Sequence, residues 1–249
     1  MNAWKAAAGG LISSAFAVLA PVRPAQGCRV LMYHAVGGKA SDNGADLYNI
    51  APERFAAHVR ALAGRRDAVT LFAGVAAGRG LAITFDDGYR DTLSVAAPLL
   101  IDANLPFTVF VTPAFIASGE QHYMSRSDLN ELASLRGVSV GAHGYSHRRL
   151  TECNDTELAQ ELQRSRAWLE DVLGGPVMSM SYPHGAVDAR VRAAVAKTGF
   201  TLAACSRFGS HRANDDPLRV ARTDIWADDG VGRLMAKAAG HWDWMAWRG

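Results

Sequence analysis

A chain of 249 residues is long enough for one large α/β domain with a complete core, and 49% hydrophobic with 20% charged residues is an ordinary globular composition. A net charge of +2 with no basic run argues against a dedicated nucleic-acid binder. Cys28, Cys153 and Cys205 are far apart and odd in number, so neither a disulfide framework nor a cysteine-based zinc site follows.

Residues 1–20 are alanine-rich with Lys5 near the start, and Pro21 and Pro24 end them. Two readings stay open for the segment 1–27. One is a helix that packs on the domain or touches a membrane surface, in a cytoplasmic or membrane-associated protein. The other is a signal peptide cut after Ala15-Phe16-Ala17, in a periplasmic or secreted one. Gly9-Gly10 and Ser13-Ser14 interrupt the apolar run and favour the first. The domain proper is expected over residues 28–249.

Residues 29–34 read as the first strand, ending in His34, and the glycine-rich residues 37–51 as a loop over a site. Pro52-Glu53 open a helix carrying Phe55, Val59 and Leu62. Residues 68–72 are expected as a short strand and 74–80 as a turn. Residues 81–85 have the length and composition of a buried strand and run directly into Asp86-Asp87-Gly88. Two adjacent carboxylates repel, so a fold keeps them together when a cation or a proton separates their roles. The alternative is a plain turn that caps the next helix.

Leu93, Ala96, Ala97 and Leu100 mark that helix, and residues 106–111 a strand. Residues 127–135 form a helix with Ser127 as cap. A β-prone run at 138–142 then ends in His143-Gly144-Tyr145-Ser146-His147. Two imidazoles four apart, with a carboxylate, make an open divalent-metal site with room for water. Residues 154–173 are an amphipathic helix with Leu158, Leu162, Ala167, Trp168 and Val172 apolar, stopped by Gly174-Gly175-Pro176. A strand at 177–182, a helix at 187–197, a strand at 200–204 with Cys205 as a small core residue, a strand at 219–225 and a helix at 230–239 complete the chain. Alternation of strands and helices implies a parallel sheet. His34, Asp86, His143, His184 and Arg222 each fall just after a predicted strand, as in a barrel with its site at the C-terminal strand ends. Periodicity alone leaves an open doubly wound sheet as the other arrangement.

Thr84-Phe85-Asp86-Asp87-Gly88 and His143-Gly144-Tyr145-Ser146-His147 resemble the first two motifs of the polysaccharide deacetylases, carbohydrate esterase family 4 with the NodB-type domain. Ser181-Tyr182-Pro183-His184-Gly185 is similar to the third motif in altered form, and the resemblance spans roughly residues 29 to 225. It implies a distorted (β/α) barrel of about seven strands and removal of N-acetyl groups from amino sugars of a polysaccharide or glycan precursor. It also implies one divalent metal ion, zinc, held by Asp87, His143 and His147, with Asp86 as general base. The oxyanion would be met by a backbone N–H among Tyr182, His184 and Gly185. Pro183 has no N–H, which makes His184 the candidate donor. Tyr33-His34 resembles an early element of members that act in exopolysaccharide pathways, where the early histidine stands in for a late one. His34 would then protonate the leaving amine, since the late His241 has no strand before it.

Two departures matter. The family's third motif opens with an arginine that pairs with the catalytic aspartate, and here Ser181 occupies that place. Arg222 is either its replacement from another strand or a surface residue. His184 replaces an aromatic. Trp226, Trp242, Trp244 and Trp247 either stack on sugar rings or pack the C-terminal segment. The partner implied is an N-acetylated glycan and not a nucleic acid, with peripheral membrane contact through residues 1–20 under the first reading of that segment. A non-catalytic glycan-binding barrel and a hydrolase of another linear amide remain the alternatives.

Overall fold

The computed structural model describes residues 27–38 and 47–248; the segment expected as an N-terminal helix or signal peptide, and most of the expected loop at 37–51, lie outside these residues. The strands are β1 (Gly27–Tyr33), β2 (Ala35–Val36), β3 (Asn49–Ile50), β4 (Arg79–Phe85), β5 (Phe107–Val111), β6 (Val138–Ala142), β7 (Ser179–Ser181), β8 (Leu202–Ala204), β9 (Ser210–His211) and β10 (Thr223–Asp224). The helices are α1 (Pro52–Leu62), α2 (Leu71–Ala77), α3 (Ala97–Asp102), α4 (Pro113–Ser118), α5 (Arg126–Ser134), α6 (Asp155–Leu173), α7 (Ala189–Thr198) and α8 (Val231–Ala238).

Seven strands lie in the order β10-β1-β4-β5-β6-β7-β8, every neighbouring pair parallel, and β9 adds antiparallel to β1. Ala204 pairs with Val220, and Ile225 N–H donates to the Met32 carbonyl. Residues 220–225, which include β10, thereby reach from β8 to β1 and curl the sheet into the distorted seven-strand barrel expected. Parallel strands covered on both faces must be apolar along their length. β5 is buried at every position, and β4 from Leu81 onward.

The two faces of β4 separate cleanly. Leu81, Ile83 and Phe85 join the large outer core beneath the helices, where Tyr33, Phe55, Phe85 and Phe107 meet ring to ring. Each fully buried side chain of this layer contributes roughly 1.5–3 kcal/mol. Ala82 faces the other way, into a smaller cluster with Val30, Phe110, Leu202, Ala204 and Val220. Side chains alternate along a strand, so Thr84 and Asp86 follow Ala82 to that inner face.

Several local expectations are corrected. Residues 68–72 are not a strand: only Ala68 bridges to Leu81, and Thr70 caps α2 by accepting from Ala73 N–H. The predicted turn at 74–80 is split: residues 74–77 finish this helix, Gly78 closes it at φ 58°, and Arg79 and Gly80 already open β4. Two turns of helix are too short for a 3.6-residue period to show. The cap of α5 is Ser125, not Ser127, because Ser125 and Asp128 form a reciprocal capping box. On α6 the buried stripe is Leu158, Glu161, Leu162, Ser165 and Leu169, while Ala167 is exposed. The expected strand at 219–225 is a tight turn, Pro217–Arg219, followed by only two strand residues, so Arg222 precedes a strand instead of ending one. Among the described residues no helix is long and apolar enough to cross a membrane.

Candidate active site

β4 delivers Asp86 along its inward alternation, and the chain then breaks that alternation. Asp87 sits at φ 75°, in the left-handed region, which costs an aspartate about 1 kcal/mol or more. The break turns its carboxylate to the same rim as Asp86. β6 ends one strand-pair further round, and His143 and His147 follow it, with His147 also left-handed at φ 62°. His143 Nε2 lies 3.5 Å and His147 Nε2 3.3 Å from Asp87 Oδ1.

These three residues each offer one atom within 4.8 Å of the others. His143 Nδ1 is 2.9 Å from the Ser181 carbonyl, which can only accept, so Nδ1 carries the proton and Nε2 presents its lone pair to the cluster. Burial pushes His143 down to about 3, keeping it neutral, and lowers His147 as well. Burial, opposed by His34 and aided by the like charge of Asp86, pushes Asp87 up to about 6. Asp87 Oδ1 is buried without a hydrogen-bond partner, while Tyr89 hydrogen-bonds the carboxylate. A buried acceptor between two imidazole nitrogens, the His143 one fixed as a lone pair, is a donor set that fits a divalent cation and leaves coordination positions open.

Asp86 is held differently. Arg222 Nη1 and Nη2 donate to its two oxygens at 2.7 Å each, a bidentate pair. Arg222 is itself fully buried, with Nη2 2.6 Å from Ser181 Oγ, Nη1 3.3 Å from Thr84 Oγ1 and Nε 3.0 Å from the Cys205 carbonyl. Burial opposes ionisation of Asp86, but Arg222, with His143, more than offsets it and holds this carboxyl below the ordinary range. Ser181 thus spares the space that an arginine at its own position would fill, and its hydroxyl bridges Arg222 and Asp86 Oδ2 at 3.2 Å.

His34 follows β1 directly and is half-buried, its ring 4.5 Å from Tyr48 and its Nδ1 buried without a partner. It acts electrostatically on both Asp86 and Asp87. Asp224, passed over in the sequence, belongs to the same rim. Its Oδ2 accepts from Tyr48 Oη at 3.4 Å, its Oδ1 is buried and unpartnered, and burial pushes it up to about 6. Its two-residue spacing from Arg222 in an extended segment was the available signal.

The third motif is used less than expected. Tyr182 N–H donates to the Ala204 carbonyl, and Gly185 N–H to the Tyr182 carbonyl, so neither faces a substrate. The Tyr182 ring is buried, with its hydroxyl donating to the Leu218 carbonyl at 2.8 Å. His184, left-handed at φ 58°, is exposed, and its Nε2 donates to the His147 carbonyl at 3.2 Å. Trp226 and Trp242 are buried against Phe208 and Trp244 packs on them, which makes these three packing residues; the Trp247 side chain lies outside the described residues. His241 follows α8 and no strand.

A parallel barrel thus carries, along one rim, an Arg–Asp pair and an Asp–His–His donor set. The model of the family described as polysaccharide deacetylase matches residues 74–203, more than half of the chain, and the chain belongs to that family. His34 and Arg222 lie outside the matched stretch. Chitin deacetylase 1 of Cryptococcus neoformans var. grubii is 31% identical over 117 residues, 45% of this chain and 23% of that protein. The chain spans less than half the length of the curated relatives it matches. Among solved structures, IcaB from Ammonifex degensii superposes with a TM-score of 0.72 at 25% identity, covering 87% of this chain and 98% of that one. The Streptococcus pyogenes deacetylase PplD, in complex with acetate, gives a TM-score of 0.72 at 19% identity over 86% and 99%.

Proposed function

We propose that the protein is a metal-dependent hydrolase that removes N-acetyl groups from the amino sugars of a polysaccharide or glycan precursor. The observation that carries this reading is the division of labour between two adjacent carboxylates: Asp86 locked to Arg222, Asp87 left facing two imidazoles. Asp87, His143 and His147 would hold one divalent ion, zinc by the chemistry of one carboxylate and two imidazoles, and that ion supplies Lewis-acid polarisation of the acetamide carbonyl and of a water.

Asp86 accepts the proton from the attacking water. Arg222 keeps it ionised and aims its free lone pairs, and the Ser181 hydroxyl shares that load. The His184 N–H is the donor left for the oxyanion, since the Tyr182 and Gly185 N–H groups are committed elsewhere and Pro183 has none. His34, on the rim at the end of β1, gives a proton to the departing amine nitrogen, leaving acetate and a free amino group. The early Tyr33-His34 element supports placing the substrate among exopolysaccharides. The test is acetate release from a panel of N-acetylated oligosaccharides, before and after chelation and zinc restoration. Chelator-insensitive turnover would refute the metal. Glycan binding with no acetate released from any substrate would make the barrel a binding module.

A further inference from the structure

We propose that Glu161 is a positioning residue for the candidate metal centre, its carboxylate holding the loop between the two histidine ligands in the shape that brings His147 to Asp87. This rests on the reading of Asp87, His143 and His147 as ligands. The starting point is the buried face of α6, where two of five side chains, Glu161 and Ser165, are polar and one turn apart. Burying a carboxylate costs several kcal/mol unless it is hydrogen-bonded, and an aliphatic residue at this position would fill the helix stripe more cheaply.

What Glu161 does with its oxygens explains its presence. Oε2 accepts from the Tyr145 and Ser146 N–H groups, both at 2.9 Å, and Oε1 accepts from Ser146 Oγ at 2.6 Å. One turn on, Ser165 Oγ donates to the Gly144 carbonyl at 2.7 Å. The Tyr145 carbonyl is taken by Ala114 N–H from α4. Residues 144–146 are thus tied down at five points, four of them from α6.

The loop needs this restraint. It is bracketed by two left-handed residues, Gly144 at φ 65° and His147 at φ 62°. A Cβ on Gly144 would come within 3.0 Å of Pro183 Cγ and 3.4 Å of Glu161 Oε2, so the backbone is pressed close to its support. A left-handed conformation is uncommon and costly for any residue with a Cβ, histidine included, and is held by its surroundings. Without the clamp the segment relaxes, and the His147 ring leaves the 3.3 Å distance to Asp87 that a shared ion requires. None of these contacts touches the reacting atoms, so the effect is on assembly of the ligand set.

The experiment is zinc titration of the full-length apoprotein, by calorimetry or competition with a chromogenic chelator, alongside its thermal midpoint without metal. Glu161→Ala should lower zinc affinity by about tenfold or more, the usual cost of losing a partner that orients a ligand. Glu161→Gln should remain within about threefold of the parent, because its amide oxygen accepts both N–H bonds and its N–H₂ reaches Ser146 Oγ. Equal losses in the two variants would make the charge, not the positioning, responsible and overturn the proposal. Parent-like affinity in Glu161→Ala would do the same. If Glu161→Ala does not fold, Ser146→Ala decides: a fall of about threefold supports the clamp, and unchanged affinity refutes it. His147→Ala is the control, since parent-like zinc binding there refutes the metal centre itself.

Discussion

Among the described residues, two fully buried pairs of a carboxylate with an arginine or lysine lie within this barrel, and they are built to opposite specifications. Lys237 is sealed between α8 and the rim, its Nζ 2.5 Å from Asp229 Oδ2 and 2.8 Å from the Asp224 carbonyl, and 3.6 Å from the centre of the Trp226 ring. Asp229 in turn accepts from Trp226 N–H and Arg233, and its carbonyl accepts from His58 Nε2. Both charged groups have full sets of partners. The unpartnered buried atom beside this pair is Nε1 of the apolar Trp226 ring, whereas Arg222–Asp86, as well paired internally, borders carboxylate and imidazole atoms that have no partner: Asp87 Oδ1, His34 Nδ1 and Asp224 Oδ1. A buried polar network that is complete rigidifies, and one left incomplete marks where a ligand and protons must enter. Asp224 joins the two, its backbone held by the structural pair and its carboxylate turned to the reactive one.

The largest effect should come from breaking the sealed pair. Lys237→Met leaves Asp229 buried and uncompensated, at a cost of about 3–5 kcal/mol in chemical denaturation. Lys237→Met with Asp229→Asn should recover part of that loss. A single-variant cost under about 1 kcal/mol would mean that the pair does not carry the structural role drawn here.

Asp86→Asn should lose acetate release by on the order of a hundredfold or more, with zinc content retained, because Asn still accepts from Arg222 but cannot take a proton. Near-parental turnover would remove Asp86 as the base.

His34→Ala should keep zinc and lose acetamide hydrolysis by roughly a hundredfold, yet lose less on an activated ester, whose leaving group departs without a proton. Loss of zinc together with equal losses on both substrates would make His34 a ligand.

The smallest and sharpest test is the pH profile of Arg222→Met. Asp86 is held below the usual carboxylate range, so its contribution to stability is complete above that range and is lost as pH falls through its depressed value. Removing the guanidinium raises that value, and the acid limb of kcat/KM should move up by roughly one to three pH units. An unmoved limb would show that Arg222 does not tune the base.

The chain's local pattern determined a good deal alone. A five-residue run, apolar but for Thr84, into Asp86-Asp87, and a second β-prone run into His143 and His147, placed four site residues at strand ends, because a buried parallel strand is mostly apolar and its charged residues wait for the rim. Only the tertiary structure decided the rest. Asp86 and Arg222 are 136 residues apart, and a linear pattern tells which face a residue takes, not which distant residue will meet it. Barrel closure through residues 220–225 makes that meeting at 2.7 Å. The same holds for Tyr182 and Gly185, whose N–H groups are spent on the Ala204 carbonyl of β8 and on the turn itself. It holds for Glu161, whose place in an apolar stripe is explained only by the loop that α6 packs against.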